Sequence, residues 1–130
     1  MTLLLDTNVV SELCRQRPNP GVAVWAAGVM DFSLSVVTVE EVAYGLAWRP
    51  NTRIAVWFDG FLQRCPVWPV TLDIARRAGA WRGTFAAKGM VRSQADLLIA
   101  ATAQRHGLTL VTRNVRDFEG CGIALLDPFT

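Results

Sequence analysis

Short apolar segments and helical segments alternate along this chain. Strands are predicted at residues 3–5, 33–37, 67–70, 108–112 and 123–126. Helices are predicted between them, at residues 8–14, 22–29, 38–46, 72–87 and 94–105, and residues 54–62 also follow a helical pattern. Parallel strands need long crossover connections, which are usually helical. The alternation therefore predicts an α/β fold in which helices cover both faces of a parallel sheet.

Residues that favour helix ends mark several of the predicted borders. Asn8, Thr38 and Ser93 are predicted to be N-caps, because their short side chains accept hydrogen bonds from free backbone N–H groups. Pro50 prevents the third helix from continuing, and Gly107 ends the helix that begins at residue 94. These signals place each predicted helix between two predicted strands.

Four acidic residues lie where a predicted strand ends or a predicted helix begins. They are Asp6, Glu41, Asp96 and Asp117. In a parallel α/β sheet, ligands bind beyond the carboxyl ends of the strands, near a change in strand order. Carboxylate oxygens are the ligands that hard divalent cations prefer. We therefore predict that these four carboxylates form one metal site.

Each of these acids also has a structural interpretation as part of a helix cap. Glu41 and Asp96 stand three residues after Thr38 and Ser93, the spacing of a capping box, and Asp117 stands three residues after Asn114. Their common placement favours a shared site, as do the polar neighbours that could orient the carboxylates. Those neighbours are Thr7, Asn8, Thr38, Thr112 and Asn114.

Glu41 is preferred over the adjacent Glu40 as the site residue. The apolar stripe of this predicted helix consists of Val39, Val42, Ala43 and Leu46. Glu41 projects nearly opposite the stripe and is free to face a cleft. Glu40 lies about 100° further around the helix, so we interpret it as a solvated residue on its flank.

The composition limits the remaining possibilities. A chain of 130 residues predicts one domain, 1–130. No apolar run reaches the length of a membrane span, and the N-terminus has no signal-peptide pattern, which favours a cytoplasmic location. Three widely spaced cysteines and a single histidine argue against a zinc site or a disulfide framework. The 52% hydrophobic content predicts that some apolar surface packs against another chain.

The charge distribution favours a phosphate-bearing partner. Thirteen basic residues face eleven acidic ones, and all but Lys88 are arginines. With four acids assigned to a metal, the rest of the surface is clearly cationic. Arginine pairs with phosphate in a bidentate way, which is typical of nucleic-acid binding. Arg113 and Arg116 are the closest in sequence to the predicted site.

Four segments resemble the PIN-domain family, in particular the VapC-type toxins and their FitB-like branch. They are residues 4–13, 35–45, 96–103 and 110–118. In the second of them, the family's acid precedes an aliphatic residue and a glycine four positions on, as Glu41 precedes Val42 and Gly45. In some members of that branch an acid occupies the position of Asn114, whereas here Asp117 is the available carboxylate.

The resemblance implies a three-layer α/β/α sandwich and an endoribonuclease that depends on Mg²⁺ or Mn²⁺. It implies Asp6, Glu41, Asp96 and Asp117 as metal-binding catalytic residues around a water nucleophile. Asn8, Thr112, Asn114, Arg113 and Arg116 would orient these ligands or contact RNA. It also implies a homodimer that is inhibited by a cognate antitoxin.

Two other functions compete with this interpretation. A phosphatase of the haloacid-dehalogenase type also starts with an acid after its first strand, but it needs a second Asp where this chain has Asn8. A non-catalytic binding module could keep the fold. The apolar stripe Ile54, Trp57, Phe58, Phe61 and Leu62, with Trp25 and Trp48, is either core or a groove for an antitoxin helix.

Overall fold

A five-stranded, fully parallel sheet lies at the centre of the computed structural model, which describes residues 2–130. Its strands are β1 (Leu3–Leu5), β2 (Phe32–Ser35), β3 (Val67–Trp68), β4 (Thr109–Val111) and β5 (Leu125–Leu126). Their spatial order is β3-β2-β1-β4-β5. Strands β2 and β3 lie on one side of β1, and β4 and β5 lie on the other, so the strand order reverses between β1 and β4.

Six α-helices connect the strands. They are α1 (Thr7–Leu13), α2 (Pro20–Ala27), α3 (Val36–Trp48), α4 (Thr52–Leu62), α5 (Leu72–Ala87) and α6 (Gln94–His106). A short 3-10 helix, Val115–Phe118, follows β4. The predicted parallel α/β/α sandwich is confirmed. None of the helices formed by residues 2–130 is long and apolar enough to cross a membrane.

The two faces of the sheet carry separate hydrophobic clusters. Leu4 joins Leu97 and Leu110 in a cluster with α5 and α6. Leu5 joins Val10 and Phe58 in a cluster with α1 and α4 on the opposite face. Neighbouring residues of a strand point to opposite faces, so the apolar run of β1 supplies both layers. This strand is therefore fixed in position from both sides.

Two predicted helix starts are wrong by a few residues. α1 begins at Thr7 with Asp6 as its cap, instead of Asn8. α3 begins at Val36, because the Ser35 side chain accepts the Val37 N–H and ends β2 at Ser35. The β-branched pair at residues 36 and 37 suggested a longer strand, but strand preference yields to the local capping bond.

Two other helix ends match the sequence signals. The Ser93 hydroxyl accepts the Asp96 N–H at 3.0 Å, as predicted for an N-cap. Gly107 ends α6 in the left-handed conformation with a φ of 64°, which favours glycine because it has no Cβ atom.

Candidate active site

Asp6 lies at the switch point of the sheet, directly after β1. Its side chain is almost fully buried, and its backbone N–H donates to the Val111 carbonyl of β4 at 2.9 Å. The carboxylate accepts three hydrogen bonds, from the Thr7 N–H at 2.8 Å, the Asn8 amide at 3.1 Å and the Thr112 hydroxyl at 2.8 Å. A carboxylate has about four acceptor positions, so one position on Oδ1 stays available for a ligand.

The turns after β1 and β4 are joined by side-chain hydrogen bonds. The Thr112 hydroxyl is fully buried, donates to Asp6 and accepts the Asn114 N–H at 3.0 Å. The Asn8 amide donates to Thr112 at 3.3 Å, and its oxygen accepts the Arg113 N–H at 3.1 Å. These contacts fix the orientation of Asp6. The predicted neighbours Asn8 and Thr112 therefore touch it directly, and Asn114 reaches it through Thr112.

Glu41 approaches the site from α3. Its Oε1 accepts the Thr7 hydroxyl at 2.6 Å, and the Thr7 and Thr38 hydroxyls lie 3.2 Å apart. The predicted capping box of Thr38 and Glu41 is wrong, because α3 is capped by Ser35 and Thr38 lies buried in its first turn. Glu41 is half-buried whereas Glu40 is exposed, in agreement with the choice between them.

Asp96 lies in the first turn of α6 and is half-buried. Burial raises the pKa of its carboxyl, and the negative charges of Asp117 and Glu41 raise it further. The Ser93 hydroxyl and the Arg92 guanidinium act in the opposite direction and lower the pKa. Asp96 therefore belongs to the capped first turn of α6, and its charge interacts with those of all three other predicted ligands.

Asp117 is the most peripheral of the four acids. It is exposed in the 3-10 helix, where the Asn114 side chain makes no capping hydrogen bond. Its backbone carbonyl accepts a hydrogen bond from the Arg92 guanidinium. The negative charge of Asp117 raises the pKa of Asp96.

Mutual repulsion connects the carboxylates. The pKa of Asp6 is raised from 3.8 to about 6, mainly by burial, with contributions from the charges of Asp96 and Glu41. A divalent cation would relieve this repulsion, and every available donor is a hard oxygen. Among residues 2–130, no group of three or more Asp, Glu, Cys or His side chains is arranged so that it could hold a metal ion. Mg²⁺ is commonly bound by one or two carboxylates and several waters, and this donor set fits such a cation.

We expect the metal-free protein to lose stability through Asp6 as the pH rises from about 4 to about 6. Asp6 has its pKa raised from 3.8 to about 6, so the native state binds more protons than the unfolded state in this window. The free energy of unfolding then falls with pH, by about 3 kcal/mol in total at 1.36 kcal/mol per pKa unit. Urea unfolding of wild type and Asp6→Asn in chelator at both ends of this window measures it. A difference between the two proteins that does not change with pH would contradict the expectation.

A groove of about 440 Å³ starts at Thr7 and Glu41 and runs between α1, α3 and α4. Ile54, Trp57 and Phe58 line it, and Arg49 and Arg53 lie along its wall. The apolar stripe of α4 is partly core, since Phe58 and Phe61 are buried, and partly accessible from the groove through Trp57. Its role as an antitoxin groove stays a prediction.

The two other tryptophans predicted for this groove lie elsewhere. Trp25 lines a separate small cavity with Leu13 and Phe61. Trp48 is 68% exposed and makes an edge-to-face pair with Tyr44, with ring centroids 6.1 Å apart. Both lie near the stripe in sequence, but Trp25 packs in the separate cavity and Trp48 is exposed, so neither lines the groove.

Sequence reasoning did not identify two contacts of the site. Thr7 links α1 to Glu41 through its hydroxyl, and its position next to Asp6 was the available signal. Phe129 lies 4.9 Å from the Arg113 guanidinium, measured from the ring centroid. No local pattern connects these two residues, because their contact depends on tertiary structure.

Comparison with known proteins identifies the class. The PIN domain family model matches residues 3–120. VapC ribonuclease Y4jK of Sinorhizobium fredii is 33% identical over 136 residues, covering 98% of this chain and 97% of that protein. Toxin FitB of Neisseria gonorrhoeae is 31% identical, covering 98% of both. This chain belongs to the PIN domain family.

Solved structures agree with this assignment. FitAcB from Neisseria gonorrhoeae has a TM-score of 0.81 at 32% identity, over 98% of both chains. DNA-bound VapBC from Salmonella typhimurium has a TM-score of 0.82 at 27% identity, again over 98% of both chains. Within the family, the similarities place this chain with the VapC-type toxin ribonucleases, as the sequence predicted.

Proposed function

We propose that this protein is a Mg²⁺- or Mn²⁺-dependent endoribonuclease and the toxin of a type II toxin–antitoxin pair. The observation that carries the proposal is the buried Asp6 carboxylate at the switch point, whose pKa is raised by burial and by the charges of Asp96 and Glu41. A site of this kind favours a divalent cation. The names of relatives such as VapC ribonuclease Y4jK support RNA as the substrate.

In this proposal the metal ligands are Asp6 and Asp96, with Glu41 and Asp117 completing the site. A bound cation would lower the pKa of a water nucleophile and neutralise the scissile phosphate. Thr7, Asn8 and Thr112 orient the carboxylates through the hydrogen bonds described above. Arg113 and Arg116, both exposed, pair with phosphates of the RNA.

RNA cleavage by the purified protein tests the function. We expect cleavage within the strand in Mg²⁺ or Mn²⁺ and none in excess chelator. Cleavage that continues in chelator would contradict the metal mechanism. Release of inorganic phosphate from small esters, without RNA cleavage, would favour the phosphatase alternative.

We further propose that an antitoxin segment occupies the groove between α1, α3 and α4. FitAB bound to a DNA fragment and the VapBC proteins are similar to this chain and were solved as toxin–antitoxin complexes. The groove offers an apolar floor at Ile54 and Trp57, and it reaches Glu41 at the candidate site. An amphipathic helix is the kind of ligand that such a groove accepts.

Hydrogen exchange measures this binding mode. On addition of the cognate antitoxin, we expect slower amide exchange in α4 and in the neighbouring part of α3, because bound segments restrict local opening. Helix α5 belongs to the opposite layer and serves as the internal control. Unchanged exchange in α4 with a bound antitoxin would place the interface elsewhere.

We also propose that the protein is a homodimer. Large apolar side chains are exposed at Val36, Tyr44 and Trp48 on α3, in agreement with the apolar surplus of the sequence. Light scattering of the purified protein measures its mass directly, and a monomeric mass of 14.3 kDa would contradict the proposal.

A further inference from the structure

Arg113 lies at the edge of the candidate site with no acidic partner. Its backbone N–H donates to the Asn8 side-chain oxygen, and the Asn8 amide donates to Asp6. Within residues 2–130 the arginine ion pairs are those of Arg15 and Arg105, so no carboxylate neutralises Arg113. Its guanidinium is therefore free to pair with a phosphate.

The guanidinium of Arg113 stacks over the ring of Phe129. The distance from the guanidinium carbon to the ring centroid is 4.9 Å, within the range of a cation–π contact. A guanidinium over a ring face keeps the N–H donors in its plane available. Phe129 itself is half-buried and packs against the cluster that contains Val10 and Leu34. The ring is thus a fixed platform beside the site.

Hydrogen bonds of Asn19 hold residues 127–130 at the N-terminus of α2. Its amide donates to the Thr130 carbonyl at 3.0 Å, and its oxygen accepts the Thr130 N–H at 3.1 Å. The Gly21 N–H donates to the Thr130 hydroxyl at 3.1 Å. A Cβ atom on Gly21 would lie 2.5 Å from the Pro128 carbonyl oxygen, so the segment sits directly against the helix.

Asn19 also connects the 127–130 segment to α1. The Asn19 N–H donates to the buried Glu12 carboxylate of α1 at 2.7 Å. Helix α1 also begins with the residues that surround Asp6. Residues 127–130 and the candidate site are therefore attached to one rigid element, and the Phe129 ring has a defined position relative to Asp6.

We propose that Phe129 is a positioning residue, which holds the Arg113 guanidinium beside the carboxylates so that it pairs with a phosphate of the RNA. This inference rests on the proposed ribonuclease function and adds the 127–130 segment to the substrate site. A free arginine side chain would lose rotamer entropy on binding phosphate. The stacked side chain has already lost part of it, which strengthens RNA binding.

The test measures RNA binding separately from cleavage. All proteins carry Asp96→Asn so that the RNA stays intact, and binding of a labelled single-stranded RNA is followed by fluorescence anisotropy. Phe129→Leu is expected to weaken binding about threefold, the size of an exposed cation–π contact. Phe129→Tyr keeps the ring and is expected to bind normally. Arg113→Ala should reduce the slope of log affinity against log salt by about 0.7, the value for one contact on a single strand.

A double-mutant cycle decides between positioning and a general effect on folding. With Arg113→Ala present, Phe129→Leu is expected to have no further effect on RNA binding. Gly21→Ala, which displaces the 127–130 segment and leaves both partners intact, should weaken binding in the same Arg113-dependent way. Equal losses with and without Arg113, or normal binding by Phe129→Leu, would overturn the proposal. Wild-type protein without cleavage activity would instead contradict the proposed function, whatever the cycle shows.

Discussion

Asp96→Asn is expected to reduce RNA cleavage roughly a thousandfold, because a bound cation contributes several kcal/mol of charge stabilisation in the transition state. Asp96 lies half-buried at the start of α6, within the electric field of Glu41 and Asp117. Asparagine has nearly the same shape but carries no charge, so it weakens the attraction for the metal. Single-turnover cleavage at saturating Mg²⁺ measures the loss.

The same substitution is not expected to unfold the protein. The Asp96 backbone N–H keeps its bond to the Ser93 hydroxyl, so the cap of α6 survives. Burial and neighbouring negative charge raise the pKa of Asp96, so a neutral side chain removes repulsion from the native state. Thermal unfolding in chelator should therefore show equal or greater stability for the variant. A marked loss of stability would mean that the cleavage defect reports folding.

Glu41 and Glu40 provide a matched pair for the same assay. Glu41 is half-buried and bonded to Thr7, whereas the adjacent Glu40 is exposed. Glu41→Gln is expected to lower cleavage strongly, and Glu40→Gln should leave it unchanged. If the two variants lose activity equally, the carboxylate of α3 has been assigned to the wrong residue.

Thr112→Val is expected to weaken both metal binding and the fold. The fully buried hydroxyl donates to Asp6 and accepts N–H bonds from Asn8 and Asn114. Valine has the same shape but removes one hydrogen bond from each of these groups, which costs about 1–3 kcal/mol of stability. Loss of a group that orients a ligand typically reduces metal affinity about 10–100-fold. The Mg²⁺ concentration for half-maximal cleavage should rise accordingly.

Thr112→Ser separates the effect of the hydroxyl from the effect of the methyl group. Serine keeps the hydrogen bonds to Asp6 and Asn114 and removes only one buried methyl, so its metal requirement should stay close to that of wild type. The Mg²⁺ titration and urea unfolding are compared for the three proteins. If serine and valine raise the Mg²⁺ requirement equally, packing and not the hydroxyl controls Asp6, and the proposed orientation is wrong.

Much of the fold followed from local signals. The apolar run Leu3–Leu5 and the caps at Ser93 and Gly107 predicted β1 and α6 correctly, because strand burial and helix capping depend on neighbouring residues. The start of α3 could not be predicted from local signals. Val36 and Val37 have strand preference, and the capping bond of Ser35 could be weighed against it only in three dimensions.

The candidate site was likewise predictable from the sequence only in part. The sequence placed Asp6 and Asp96 at the correct ends of their elements and preferred Glu41 to Glu40, since both depend on periodicity and spacing. Their roles as metal ligands stay predictions, as does that of Asp117. The hydrogen bond from Thr7 to Glu41 and the link from Thr112 to Asp6 join residues far apart in the chain. Local patterns contain no information about such distances.

The sequence by itself therefore determined the family, the alternation of strands and helices, and the acidic residues that follow the strands. The tertiary structure decided which of these residues meet. Pairing of β1 with β4 brings Asp6 to Thr112, and the register of Leu5 with Val111 fixes their distance. The packing of residues 127–130 on α2 brings Phe129 to Arg113. Periodicity specifies which face of an element is buried, but only strand register and helix packing specify which side chain lies opposite.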